Sequence, residues 1–266
     1  MVNIARTNGD LMKRCLSALF ILSAFIPLLH IDCNPHPSRF EGYFEDYGGR
    51  RLDLIAKYLP DNPVVFEAGG HYGEDTVRLS RKWPNGRVVS FEPNPYAFKK
   101  LSEATSGLTN VDGYQLAAND YNGMATFYVC FGTNGDNPVF DGASSLLEPS
   151  EWMKVHYQGP VIEAPCVILD DWCHDNDVDH IDFMWLDMEG IELQVLQSSP
   201  ETLKNVRVIY TGTNFMEFRK GMTQFDALKE HLESAGFRLL SHWYAEGFQS
   251  DAIFVKKELF DLGFNH

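Results

Sequence analysis

The sequence predicts an α/β protein: a largely parallel sheet with helices on both faces, closed by an antiparallel hairpin. Three observations carry that reading. Short apolar runs alternate with helical patterns from Pro63 onward, as in a chain of βαβ units. The first run, Val64-Val65-Phe66, ends in Glu67 and opens into a glycine-rich turn, Gly69-Gly70-His71-Tyr72-Gly73. The second run ends in Glu92, so two acids stand at neighbouring strand ends, where such sheets bind ligands.

The elements follow in order. Residues 34–62 form a lead-in whose Leu52, Leu54, Ile55, Tyr58 and Leu59 suit a short helix against the core, ended by Pro60. The main domain, 63–257, begins with a strand at 64–68 and a helix at 74–83. Trp83-Pro84-Asn85-Gly86 breaks the chain before a strand at 86–92, which Pro93 stops. A helix at 95–106 and a strand at 110–118 come next. Between Asn122 and Val167 the alternation lapses. Extended runs at Met124 to Phe131 and Pro160 to Leu169 flank a Gly-, Asn- and Ser-rich loop, an antiparallel insertion placed to cover a ligand cleft. Leu169-Asp170-Asp171-Trp172 reads as a helix start with Asp170 as N-cap. Asp182 to Leu186 is a strand, a helix starts near Ile191, and Val206 to Tyr210 is another strand. Thr223 to Ala235 is a helix with Gly236 at its end. Phe237 to Tyr244 and Asp251 to Val255 form the closing hairpin, and 258–266 is a C-terminal tail.

At 266 residues the chain is long enough for one domain plus an extension. A net charge of −15 repels phosphate backbones and argues against a nucleic-acid partner. Cys15 to Ile31 carries no formal charge and follows Lys13-Arg14, with Met12 just before. That is the n-region and h-region of a signal peptide, so residues 1–33 read as a signal peptide or membrane anchor, with Met12 as a candidate true start. Its length is marginal for a membrane span, and a packed amphipathic helix is the other reading. Removing 1–33 takes out three bases and two acids, so the acidic character belongs to the remainder. The five cysteines contain no C-x-x-C, and the histidines show no metal-ligand spacing, so no metal site is expected. Exported, the cysteines are able to pair; otherwise they are buried thiols.

Several residues carry chemistry. Gly69, Gly70 and Gly73 let the backbone pass close to a ligand, and His71 sits in the same turn. A dinucleotide turn would read G-x-G-x-x-G, and His71-Tyr72 occupies its middle. Glu67, directly before the turn, repels a pyrophosphate and attracts a cation. A ligand with an ammonium and a sulfonium therefore fits better than one with phosphates. Glu92 is placed to accept hydrogen bonds from two ribose hydroxyls. Asn119 and Asp120, after Ala117-Ala118, are within reach of an adenine amino group, or are simply a turn. In Trp185 to Gln197 the strand delivers Asp187 and Glu189 at the sheet edge, where either is able to orient or deprotonate an acceptor hydroxyl. Glu192 falls in the first helical turn and suits the helix dipole. A G-x-S-x-G hydrolase elbow is absent.

Together, FEAGGHYGEDT, FEPNP, the A-A-N-D strand end, GASSLLE, I-L-D-D-W and W-L-D-M-E-G-I-E-L-Q-V-L resemble the FkbM family of class I S-adenosylmethionine-dependent methyltransferases, over about Val64 to Val255. The resemblance implies a Rossmann-like seven-stranded sheet with an antiparallel last strand. It implies S-adenosylmethionine as cofactor and transfer to an oxygen of a small molecule or sugar. By position, Glu67 and Gly69 would face the methionine part, Glu92 the ribose, Asn119 or Asp120 the adenine, and Asp187 and Glu189 the acceptor. This chain departs from relatives in having Glu67 where Asp is frequent and Trp185 where Lys is frequent. It also has Thr211-Gly212-Thr213 where an acid is frequent, with Glu217 as a candidate substitute. Two other classes stay open: a non-catalytic binding protein on this fold, and an NAD(P)-dependent oxidoreductase, which would need the missing glycine. An exported domain would also lack a cofactor made in the cytosol; without a signal the protein is cytoplasmic.

Overall fold

The computed structural model describes residues 50–131, 141–245 and 249–262. The apolar run at 15–31, Cys15, Cys33, the start of the lead-in and residues 263–266 lie outside these. Among the described residues no helix is long and apolar enough to cross a membrane.

Seven strands form the main sheet in the order β3-β2-β1-β7-β8-β10-β9. β1 (Val64–Ala68), β2 (Arg87–Phe91), β3 (Val111–Tyr114), β7 (Phe183–Leu186) and β8 (Val208–Asn214) run parallel. β10 (Gln249–Lys256) is antiparallel to β8 and to β9 (Phe237–Ala245), which makes the expected hairpin. The central strands bury both faces, which is why β7 reads as an unbroken apolar run and β1 and β2 as dense apolar runs rather than alternating ones. One face holds Phe66, Val89, Met184 and Ile209. The other holds Val65, Val88, Trp185 and Tyr210 under Leu52, Ile55 and Tyr58 of the lead-in, whose helical turns (α1) run from 50 to 56. The strand order turns outward in both directions from β1 and β7, so the cleft opens at their carboxyl ends.

Helices α2 (Glu74–Lys82) and α3 (Pro95–Thr105) match the sequence closely. In α3, Pro95 stands in the first turn and Asn94 caps by accepting from the Tyr96 N–H at 3.1 Å. Four readings need correction. The strand expected at 110–118 breaks after Tyr114: Ala117–Ala118 (β4) leaves the main sheet and pairs with β6 (Val161–Val167). Asp170 does not cap its own helix, α4 (Leu169–Asp175), whose N-cap is Ile168. It accepts from the Glu201 and Thr202 N–H groups instead, at 2.9 and 2.6 Å, and so caps α6 (Pro200–Asn205). β8 runs four residues past Tyr210, so Thr211-Gly212-Thr213 lies inside a strand, not at its end. The tail begins as a helix, α8 (Lys257–Leu262).

The insertion is present. β5 (Gly123–Tyr128) pairs antiparallel with β6, and a 3₁₀ turn at Asp141–Ala143 leads into a segment that bridges back to the main domain. There the buried Arg219 donates to the carbonyls of Leu147, at 2.8 Å, and Ala143. Nothing in the sequence pattern marked Arg219. α5 (Glu192–Ser198) and α7 (Phe225–Ser234) complete one face, and Gly236 after α7 takes a positive φ of 87°.

Candidate functional site

Two cavities share Asp187. The larger, about 280 Å³, lies over the carboxyl ends of β1 and β2. Gly69, Gly70, His71, Glu74, Asp75, Glu92 and Asp187 wall one side, and Leu116, Ala117 and Ala118 another; Gly73, expected at the ligand, stands off the wall. Phe127, Gly142, Ser144 and Leu146 of the insertion cover it, as the sequence led us to expect. The smaller, about 190 Å³, lies beyond Asp187 toward β8 and β10.

The turn is built for close approach. Gly69 has φ 92°, and a side chain there would drive its Cβ into the Asp187 carbonyl. Gly69 and Gly70 both donate to the Phe91 carbonyl, at 2.9 and 3.0 Å, which pins the turn to β2. Gly73, φ 90°, starts α2 and fits over Leu101. His71 follows in the same turn with φ 46° and lines the larger cavity.

The carboxylates divide into different tasks. Glu92, 5% exposed, accepts from the His71 N–H with Oε2 and the Asn94 N–H with Oε1, each at 2.8 Å. These bonds fix its plane and use two of about four acceptor sites, leaving the others toward the cavity. Burial pushes its pKa up to about 7, against the two amides. Glu67 is placed differently from the expectation. Its Oε2 accepts from Thr76 Oγ1 at 2.6 Å and Ser90 Oγ at 2.5 Å beneath Gly70, and it does not line the cavity. The reason is strand alternation: Glu67 shares a face with Val65, which is turned into the core rather than toward the ligand side. Burial raises Glu67 to about 7 as well.

Asn119 and Asp120 also stand off the cavity wall. The break after Tyr114 redirects this segment, so the Asn119 amide donates to Cys166 Sγ at 3.4 Å and Asp120 is exposed. Leu116, Ala117 and Ala118 take the wall position instead.

Asp187 lies one residue past β7, its N–H bound to the Ala68 carbonyl at 2.9 Å. Glu189 has φ 57°, and both its carbonyl and that of Met188 accept from Ser145 Oγ, at 3.1 and 3.4 Å. Glu192 accepts from the Met188 and Gly190 N–H groups at 3.1 and 3.2 Å, so it braces this turn from within. Asp187 and Glu189 are both held above the usual carboxylate range, by burial first. Nearby carboxylates add to it, Glu189 and Asp251 for Asp187 and Glu192 for Glu189. Asp187 is itself solvent-exposed, so for it the crowding by the Glu189 and Asp251 carboxylates is the cause that stands.

Trp185 is buried and stacks on Tyr210 with centroids 3.9 Å apart, so the position is apolar. Glu217 is exposed and accepts from the Gly221 N–H, away from both cavities. Cys130, Cys166 and Cys173 are buried. Among the described residues no group of His, Cys, Asp and Glu is arranged to hold a metal ion.

Residues 67–239 match the family model described as the methyltransferase FkbM domain. The 2-O-methyltransferase NoeI of Sinorhizobium fredii is 30% identical over 212 residues, covering 78% of this chain and 84% of that protein. Methyltransferase 1 of Beauveria bassiana is 25% identical, covering 67% and 74%. Among solved structures, magnesium protoporphyrin IX methyltransferase from Synechocystis with bound SAM is 9% identical, with a TM-score of 0.45 over 96% of this chain and 100% of that one.

Proposed function

The chain belongs to the FkbM methyltransferase family, and we propose that it transfers a methyl group from S-adenosylmethionine to a hydroxyl of a small molecule or carbohydrate. The observation that carries this reading is Asp187, whose carboxylate stands on the wall common to both cavities. A group there meets a cofactor in one and an acceptor in the other.

The larger cavity fits the cofactor. Four carboxylates line it, which suits a ligand bearing positive charges and opposes pyrophosphate. Glu92, with lone pairs turned inward and its plane fixed, suits a pair of ribose hydroxyls. Leu116, Ala117 and Ala118 offer a flat apolar wall beside it for a base. Glu67 supports the turn from below by holding Ser90 and Thr76, a positioning role.

When bound, S-adenosylmethionine supplies an electrophilic methyl carbon, and the rest is orientation and proton handling. Asp187 accepts the acceptor's hydroxyl proton, and a carboxylate held above its usual range is better matched to that task near neutral pH. Glu189 lines only the smaller cavity and orients the acceptor. The insertion limits water over the larger cavity.

Calorimetric titration tests the cofactor assignment. Saturable binding of S-adenosylmethionine and S-adenosylhomocysteine with none of NAD supports it. Binding of NAD alone would overturn it in favour of an oxidoreductase.

A further inference from the structure

We propose that Asp251 is an acceptor-binding residue and that Gly212, opposite it, opens a pocket shaped for one polyhydroxylated ring of a carbohydrate. This rests on the hydroxyl-directed transfer proposed above and identifies where the acceptor sits.

Strand register carries the argument. Trp185 of β7 pairs with Tyr210 of β8, and Tyr210 pairs with Ile253 of β10. All three pack on one face of the sheet. One step further toward the carboxyl end of β8, Gly212 pairs with Asp251 on that same face. Asp187 is the next residue of that face on the β7 side, after Trp185. An alanine Cβ at Gly212 would lie 3.5 Å from Asp187 Oδ1. Two carboxylates thus stand two strands apart, roughly 10 Å, with a residue lacking a side chain between them. The cavity of about 190 Å³ is the result.

The missing side chain provides room, not backbone freedom. Gly212 takes no positive φ, and a Cβ there would meet only Asp187 Oδ1. Asp251 is held in place by Arg51, whose Nη1 lies 2.8 Å from Asp251 Oδ2 and donates to the Tyr210 hydroxyl at 2.6 Å. Arg51 is therefore a positioning residue, reaching the pocket from the lead-in.

The pocket's chemistry selects the class of occupant. Beside the carboxylates the lining is polar throughout: Gln249 donates to Asn214 Oδ1 at 3.2 Å, and Thr213 and Ser250, paired one residue off Gly212 and Asp251, bond to each other on the other face. Among its described lining residues there is no aliphatic or aromatic hydrocarbon side chain. A flat apolar acceptor would cover the Asp187 and Glu189 carboxylates without giving them a hydrogen bond. A sugar ring offers hydroxyls in several directions. The volume is below the roughly 300–1,000 Å³ of pockets for drug-sized ligands, so one ring enters and the remainder of a larger acceptor stays outside.

The test uses the full-length chain with S-adenosylhomocysteine and methyl glycosides of fucose, rhamnose, glucose and N-acetylglucosamine. Binding is read by saturation-transfer NMR and turnover with S-adenosylmethionine by mass spectrometry. Wild type should bind at least one glycoside. Gly212→Leu should lose that binding, and Asp251→Asn should weaken it at least about tenfold. Both variants should keep S-adenosylhomocysteine affinity within about threefold, which reports an intact fold. Glycoside binding unchanged in both variants would overturn the proposal, even if wild type methylates the glycoside. Absence of glycoside binding to wild type would also overturn it. Binding that the variants abolish, without methyl transfer by wild type, would support the pocket and count against the proposed reaction.

Discussion

Replacing Glu92 with alanine separates a cofactor ligand from a structural brace. Two effects on stability oppose one another. The substitution strips the His71 and Asn94 amides of their acceptors, at roughly 1–3 kcal/mol each if they stay dry. It also removes a carboxyl whose pKa is raised from 4.5 to about 7 by burial, which at pH 8 relieves about 3 kcal/mol. The two nearly cancel, so the variant should stay folded, with stability within about 2 kcal/mol of wild type. Cofactor affinity has no such offset. Two hydrogen bonds from ribose hydroxyls to an ionised acceptor, at about 1.5–3 kcal/mol each, correspond to a loss of roughly 10²- to 10⁴-fold. Denaturant melts at pH 8 and calorimetry with S-adenosylhomocysteine measure both. A folded variant whose Kd lies within threefold of wild type would refute the assignment.

Other consequences are smaller in scope. Glu92 must be ionised to accept from the ribose, so S-adenosylhomocysteine affinity should fall as pH drops through about 7, read by calorimetry between pH 6 and 8. A carboxyl with a raised folded pKa holds its proton more tightly folded than unfolded. The unliganded protein should therefore lose stability as pH rises from about 4.5 to 7, and Glu67→Gln should flatten that slope in thermal melts. Gly69→Ala should destabilise by at least about 2 kcal/mol, from a left-handed backbone plus a clash, whereas Gly107→Ala, with open space around it, should change little on denaturation. Asp187→Asn should slow methyl transfer by roughly 10²- to 10⁴-fold while S-adenosylhomocysteine still binds. Asp170→Ala, which uncaps α6, should cost about 1 kcal/mol in the same melts.

The alternation of apolar runs and helical patterns was enough to place β1, α2, β2 and α3 almost to the residue, because each has a local signal: a dense apolar run, a glycine turn, Pro95 in a first turn. The same logic placed Glu92 and Asp187 on the cavity, since a strand end fixes where a residue sits along the sheet. It does not fix which face the side chain takes. Glu67, one residue before the end of β1, turns into the layer with Ser90 and Thr76. Long-range pairing was equally hidden. The break after Tyr114 depends on β6, some 50 residues on, and it carries Asn119 off the wall. Asp170 has good N-cap chemistry, but the helix it caps begins thirty residues later. Arg219 and Asp251 show no motif at all; only the fold brings the first to the insertion and the second across Gly212 from Asp187.

The central claim is methyl transfer to an oxygen. Incubating the full chain with S-adenosylmethionine carrying an isotopically labelled methyl, together with methyl glycosides, and locating the label by NMR tests it directly. The account predicts one labelled methoxy group on a ring carbon, lost in Asp187→Asn. Label found on nitrogen or carbon, or retained entirely in the cofactor under conditions where both cofactor and glycoside bind, would contradict it.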